Sequence, residues 1–289
     1  MIRLTLVSNS MHLEAVRRLR RRPELRSVAG EAAFDLLIWE PRRMRLEPGD
    51  RRLWPLRLPV SSMVLATLTV LAQMGLVGEL RLPHLRKAGR ALRMIAARAR
   101  RLVLIDDGLD QYRDEPRAMD PARFPIGTPY WLFSDAPAAR ASWCRRFTCL
   151  ELGPLYRPRT PAPQPQEQGS QGTLVIDAPG LERLEEAKAA LLPRPWLVLP
   201  HPVREKRAWP LPAAPGDSLA TQPPEELIPS FQGLIVVGES MTLLAAVRLR
   251  RPGSRLLIAL PRGVDANLAR LAAELAAREA GVKLLDDRY

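Results

Sequence analysis

The chain has 289 residues, and its 44 Lys+Arg against 31 Asp+Glu give a net charge of +13. A hydrophobic content of 46% excludes a disordered or collagen-like polymer, and the length suits one large domain or two of ordinary size. Two cysteines, Cys144 and Cys149, exclude a disulfide framework, and no CxxC or Cys/His cluster offers a zinc site.

Lysine occurs only at Lys87, Lys188, Lys206 and Lys283, so 40 of the 44 cations are arginine. Beside 29 prolines, that excess has two explanations: compositional bias on solvated faces, or an anionic partner such as nucleic acid, an acidic glycan or a membrane surface.

Met1 to Val7 is a short apolar run without the layout of a signal peptide, which predicts a reducing, cytoplasmic setting. Ile2–Val7 reads as a strand. Ser10–Arg21 follows as a helix, with apolar residues at Met11, Leu13, Val16 and Leu19. Phe34–Trp39 is a second strand, and an Arg/Pro-rich loop then runs to Pro59. Leu58 to Gly78 carries no charge and is long enough for a membrane span. Its Ser, Thr and Gln residues and a Ser61 N-cap instead predict a buried helix of an α/β domain. Val77–Leu82 is a weak strand, Leu85–Arg98 a basic amphipathic helix, and Arg101–Ile105 a strand ending in Asp106-Asp107-Gly108.

Composition changes after Leu152. Residues 154–172 are rich in Pro, Gln and Gly, which is linker chemistry. Beyond them Thr173–Asp177, Trp196–Leu199, Leu234–Val237, Arg255–Leu260 and Val282–Leu285 read as strands. Leu181–Leu192, Met241–Arg250 and Val264–Ala280 read as helices. The expectation is an α/β protein of two Rossmann-like domains facing a cleft: residues 1–153, a linker at 154–172, and residues 173–289. Ligands of such sheets bind beyond the carboxyl ends of the strands.

Three motifs fall at such ends. Asp106 and Asp107 are adjacent carboxylates suited to a general base, to a magnesium site, or simply to a turn closed by Gly108. His201, rigid before Pro202, suits a phosphate or a leaving group, or is a loop histidine stiffened by proline. Gly238-Glu239-Ser240-Met241-Thr242 suits a phosphate at a helix start, or an ordinary N-cap. No Gly-x-Gly-x-x-Gly, Walker motif or Gly-x-Ser-x-Gly elbow occurs.

In combination, Asp106-Asp107-Gly108, His201-Pro202 and Ser240 with Thr242 resemble the bacterial sialyltransferases, specifically glycosyltransferase family 52 and the bacterial polysialyltransferases. Pro224-Glu225-Glu226-Leu227 is similar to the Pro-x-Glu segment before the Ser/Thr motif, and Ser8-Asn9-Ser10-Met11-His12-Leu13 to the first strand–helix turn. Here Met241 interrupts the Ser/Thr pair. The resemblance implies a GT-B fold and metal-independent, inverting transfer from a CMP-activated acidic sugar, with no cofactor. By position, Asp106 would be the base with Asp107 as fallback, and His201 would meet the departing phosphate. Ser240 and Thr242 would hold that phosphate, while Glu226 or Glu225 would bind the ribose. Gly108 and Pro202 complete the donor-side set. The expected partners are CMP-sialic acid or CMP-Kdo and a glycan or glycolipid acceptor, in the cytoplasm or peripherally at the inner membrane face. The competing classes are another GT-B transferase and a basic nucleic-acid-binding protein.

Overall fold

The computed structural model describes residues 1–21, 34–42, 44–83, 89–106, 108–117, 119–156, 170–176, 194–199, 215–216, 218–220, 222, 224–238, 240, 242–260 and 263–286. The chain divides into two compact units: Met1–Ser134 with Arg140–Leu155, and Asp135–Ala139 with Tyr156–Tyr289.

The first unit is built on a seven-stranded, wholly parallel sheet. Its strands are β1 (Ile2–Val7), β2 (Phe34–Trp39), β3 (Leu56–Pro59), β4 (Val77–Leu82), β5 (Arg101–Ile105), β6 (Pro129–Leu132) and β7 (Thr148–Glu151). The order β3-β2-β1-β4-β5-β6-β7 sets β1 inside the sheet, between β2 and β4. Alternation assigns each face. Val7, Leu37, Val103 and Ile105 pack beneath α1 (Ser10–Arg21) through Leu13, Val16 and Leu19. Leu4, Ile38, Leu80 and Leu82 pack on the opposite face, beneath Leu68 and Ala72 of α3 (Ser62–Gln73) and Ile95 of α4 (Arg90–Arg98).

Ser61 caps α3 as expected, accepting the Val64 N–H at 3.2 Å. The helix is not buried, however. Only Leu68 and Ala72 are fully covered, and Met63 is 78% exposed. Two stretches of apparent loop are also more ordered than composition suggests. Pro41–Pro59 contains α2 (Pro48–Leu53), strand β3 and the buried Trp54, while Asp110–Pro129 buries Tyr112, Met119 and Phe124.

On the α1 side, the amino-terminal half of the sheet carries charge instead of apolar side chains. Arg3 on β1 reaches Asp35 on β2 (3.4 Å) and Glu79 on β4 (3.1 Å), all three nearly excluded from solvent. Arg20 of α1 also bonds Asp35, and Arg81 bonds Glu79 at 2.6 Å. Buried charges persist only when paired, and here one row of ion pairs ties three neighbouring strands to a helix.

The second unit holds a six-stranded parallel sheet of β8 (Ser170–Ile176), β9 (Trp196–Leu199), β10 (Ser218–Leu219), β11 (Phe231–Val237), β12 (Arg255–Leu260) and β13 (Val282–Asp286), in the order β10-β9-β8-β11-β12-β13. Its helices are α5 (Pro224–Leu227), α6 (Leu243–Leu249) and α7 (Ala266–Arg278), the last capped by Asp265, which accepts the N–H groups of Asn267 and Leu268. Val175, Val198, Ile235, Val237 and Leu257 form its core. The segment Asp135–Ala139 is packed into this unit: Arg248 donates to Asp135 O (3.2 Å), and the buried amide of Asn267 donates to Ala139 O (2.9 Å). Both sheets are therefore Rossmann-like, with the first strand of each inside the sheet, between the second strand and the fourth. The helix expected at Leu181–Leu192 lies outside the described residues.

One ion pair gives this fold a pH signature. Burial pushes the Asp50 carboxyl up, but the bidentate Arg17 guanidinium (2.7 and 2.7 Å) and the Glu47 N–H outweigh it, leaving Asp50 below its ordinary value. A lowered carboxylate contributes stability fully above its unfolded value near pH ~3.9 and loses it as pH falls through its own folded value. Asp50→Asn should cost about 3 kcal/mol at pH 7. In urea titrations the gap between parent and variant should narrow on acidification below about pH 4.

Candidate active site

Asp106 directly follows β5 and is wholly buried. Its N–H donates to Trp131 O at 2.8 Å, extending the ladder toward β6 by one residue. Its carboxylate accepts three donors: the Gly108 N–H on Oδ1 (2.8 Å), and the Gln111 amide (2.6 Å) and Phe133 N–H (2.9 Å) on Oδ2. Gly108 takes φ 84° to return its N–H to that carboxylate, a conformation that side-chain-bearing residues rarely adopt. Asp106 and Gly108 thus share one turn, which ends in the 3-10 segment Leu109–Tyr112. Asp107 lies outside the described residues.

The turn is held from behind by a polar relay that sequence inspection misses. Arg140 donates from Nε to Gln111 Oε1 (2.8 Å), from Nη2 to Phe133 O (3.2 Å), and from both terminal nitrogens to Glu151 on β7 (2.5 and 2.9 Å). The Arg140 hydrogen bond holds the Glu151 carboxyl below its ordinary value. Asp106, Gln111, Arg140 and Glu151 therefore connect β5, the turn and β7 through charge-assisted bonds. Nothing in the spacing of Gln111 and Arg140 marks them.

The same neighbourhood contains both cysteines. Burial, aided by Cys149 and countered only in part by Arg140, pushes the Cys144 thiol up to about 12, and burial also raises Cys149. Both thiols stay neutral at physiological pH, so neither has the character of a nucleophile.

The first strand–helix turn is closed around an imidazole. His12 is fully buried, with Nδ1 3.0 Å from Ser8 Oγ and Nε2 3.2 Å from the Asn9 amide nitrogen. Its N–H donates to Asn9 Oδ1 at 2.8 Å. Both ring nitrogens are occupied within the turn, so His12 shapes the mouth of the sheet. Beside it, a cavity of about 260 Å³ opens at the carboxyl ends of β1, β2 and β4, where the strand order reverses. Its walls include Leu6, Trp39, Val60, Leu82 and Leu92, with Ser8 and Glu40 as the polar members. An apolar cavity of ~150 Å³ holds a benzene ring, so this one has room for a larger apolar group.

In the second unit Gly238 follows β11, and a Cβ there would meet Leu260 Cδ2 at 2.6 Å, so a larger residue would displace the end of that side chain. Ser240 is buried, and its hydroxyl accepts the Thr242 N–H at 3.2 Å. These two residues are brought into one turn. Thr242 is half-buried and makes no side-chain cap. The helix begins at Leu243 rather than Met241 and is only seven residues long, so its dipole is modest. Glu225 and Glu226 are exposed on the short α5. They differ in one respect: Glu225 accepts the phenol of Tyr156, whose pKa is raised by burial and by the Glu225 and Asp135 charges. His201 and Pro202 lie outside the described residues, as do Glu239 and Met241.

No protein-family model matches the chain, and no curated protein matches it. Among solved structures it is similar to one described as "Crystal Structure Analysis of the Glycotransferase of kitacinnamycin", over 98% of this chain and 86% of that chain, at 15% identity and a TM-score of 0.47. At that score the likeness bears on neither fold nor reaction, which rest on this chain's own residues.

Removing the Asp106 carboxylate orphans the buried Gly108 and Phe133 N–H groups and leaves the Gln111 amide only its longer bond to Phe133 O. Asp106→Ala should therefore lower unfolding stability by about 3 kcal/mol in a urea titration. Both cysteines should resist iodoacetamide in the native protein at pH 8.5 and react at once in denaturant.

Proposed function

We propose that the chain is an inverting glycosyltransferase of GT-B type, moving sialic acid or a related nonulosonate from a CMP-activated donor to a glycan hydroxyl. Placement supports this. Asp106-Asp107-Gly108 directly follows β5, His201-Pro202 comes one residue after β9, and Ser240 with Thr242 follows β11. All three motifs of the sialyltransferase resemblance thus follow parallel strands at the ends where such sheets take ligands.

Roles follow from what each side chain has left to give. Asp106 is committed to three donors, so it sets the turn, and Asp107 is the carboxylate that takes the acceptor proton. The acceptor oxygen then bonds the anomeric carbon as the bond from that carbon to the CMP phosphate oxygen breaks. CMP leaves as a dianion, which His201, Ser240 and Thr242 stabilise by hydrogen bonds. Glu226 binds the ribose, because Glu225 already accepts from Tyr156. The cavity beside Trp39 receives the acceptor. Metal-free transfer, and CMP-Kdo as the alternative donor, belong to the same proposal. A nucleic-acid groove fits less well, since Arg3, Arg17, Arg18, Arg20, Arg81 and Arg140 are in ion pairs within the first unit.

A thermal-shift panel of CMP, UDP and GDP tests the donor. A nucleotide at ~100 times Kd stabilises by about 2.7 kcal/mol, and only CMP should do so. With CMP-sialic acid as substrate, Asp107→Asn should lower kcat about 100-fold or more at unchanged melting temperature, and EDTA should leave the parent's rate unaltered. Full activity of both Asp107→Asn and His201→Ala would remove the assigned roles. Micromolar DNA binding with a steep salt slope would instead favour the nucleic-acid class.

A further inference from the structure

We infer that the outward face of α3 and α4 is a docking surface for an anionic phospholipid bilayer. Both helices cover the same face of the first sheet, anchored inward by Leu68, Ala72 and Ile95. What they turn outward is of two kinds. On α3 it is uncharged and mainly apolar: Met63 is 78% exposed, Val70 53% and the following Met74 66%, a row at helical spacing beside the exposed Ser62, Thr67 and Gln73. On α4 it is basic, with Arg90, Arg93 and Arg98 exposed beside the partly exposed Met94. No ion pair engages those three arginines among the described residues. From residue 54 to 105 the only acid is Glu79, which is buried against Arg3 and Arg81.

The two threonine hydroxyls of α3 are already satisfied. Thr67 Oγ1 donates to Met63 O (3.1 Å), Thr69 Oγ1 donates to Leu65 O (2.8 Å), and Ser61 Oγ caps the Val64 N–H. Laying this face into the headgroup–acyl boundary therefore leaves neither threonine donor stranded, while Ser62 and Gln73 lie at the two ends of the helix. Twelve residues of helix span about 18 Å, too short to cross a bilayer but sufficient to lie in its plane. No described helix is long and apolar enough to span a membrane. Charge complementarity selects the occupant. A second copy docked through the same face would bring Arg90, Arg93 and Arg98 against their own counterparts, whereas an anionic lipid surface attracts them while accepting the methionines. This assignment is independent of the transfer chemistry.

The test is co-sedimentation of the full chain with sucrose-loaded vesicles of phosphatidylcholine alone or mixed with phosphatidylglycerol. Binding to the mixed vesicles, weakened by 0.5 M salt and much lower on phosphatidylcholine, is expected. The triple variant Arg90→Gln/Arg93→Gln/Arg98→Gln should lose on the order of 100-fold in partition to anionic vesicles. Met63→Asp/Val70→Asp should lose at least about 10-fold, with melting temperature as the control for folding. No binding to anionic vesicles, or variants that bind like the parent, would overturn the inference. So would a dimer by light scattering that Met63→Asp dissociates, because the face would then belong to a second copy.

Discussion

The carboxylate of Asp106 fixes the end of the first sheet. It lies where a parallel strand stops and the chain must leave the ladder with its donors unpaired, and it accepts three of them at once. That single acceptor orients Gly108, which permits the turn, and positions Gln111, which passes the constraint to Arg140 and Glu151. A buried carboxylate so engaged is costly to replace.

Charge elsewhere in the first unit serves geometry as well. The row Arg20–Asp35–Arg3–Glu79–Arg81 crosses β2, β1 and β4 on the α1 side. Side chains alternate along a strand, so a slip of β1 by one residue would drive Arg3 into the apolar layer occupied by Leu4 and Leu80. The pairs specify register in a sheet whose strands otherwise read as interchangeable Leu/Val/Ile runs. Part of the arginine content is engaged in this way, while Arg90, Arg93 and Arg98 of α4 make no ion pair among the described residues.

Strands with uninterrupted apolar runs were legible from sequence, and β1, β2, β4, β5, β9 and β12 begin and end where the pattern predicts. So was α1, from its apolar stripe. Strands β3, β6 and β7 were not. Each is four residues long, contains or follows a proline or a polar residue, and is fixed by pairing to a neighbour rather than by its own pattern. Local propensity is weak in so short a segment, and tertiary context decides. The same limit hid the support of the site. Asp106 and Gly108 announce a turn, but Gln111 and Arg140 act over 5 and 29 residues of chain, and the cavity beside Trp39 is assembled from three strands and two helices. The missing charge on α3 was visible; that it marks an outer face rather than an inner one was not.

The segment Asp135–Ala139 belongs to the second unit although its flanks belong to the first. Its carbonyls receive the Arg248 guanidinium and the buried Asn267 amide. A gene fragment cut at the proline-rich stretch after Leu155 would therefore yield a second half in which both donors lose these carbonyl acceptors. The two halves are not modules that recombine freely: any exchange between chains of this architecture must carry five residues from near the end of the first half along with the second.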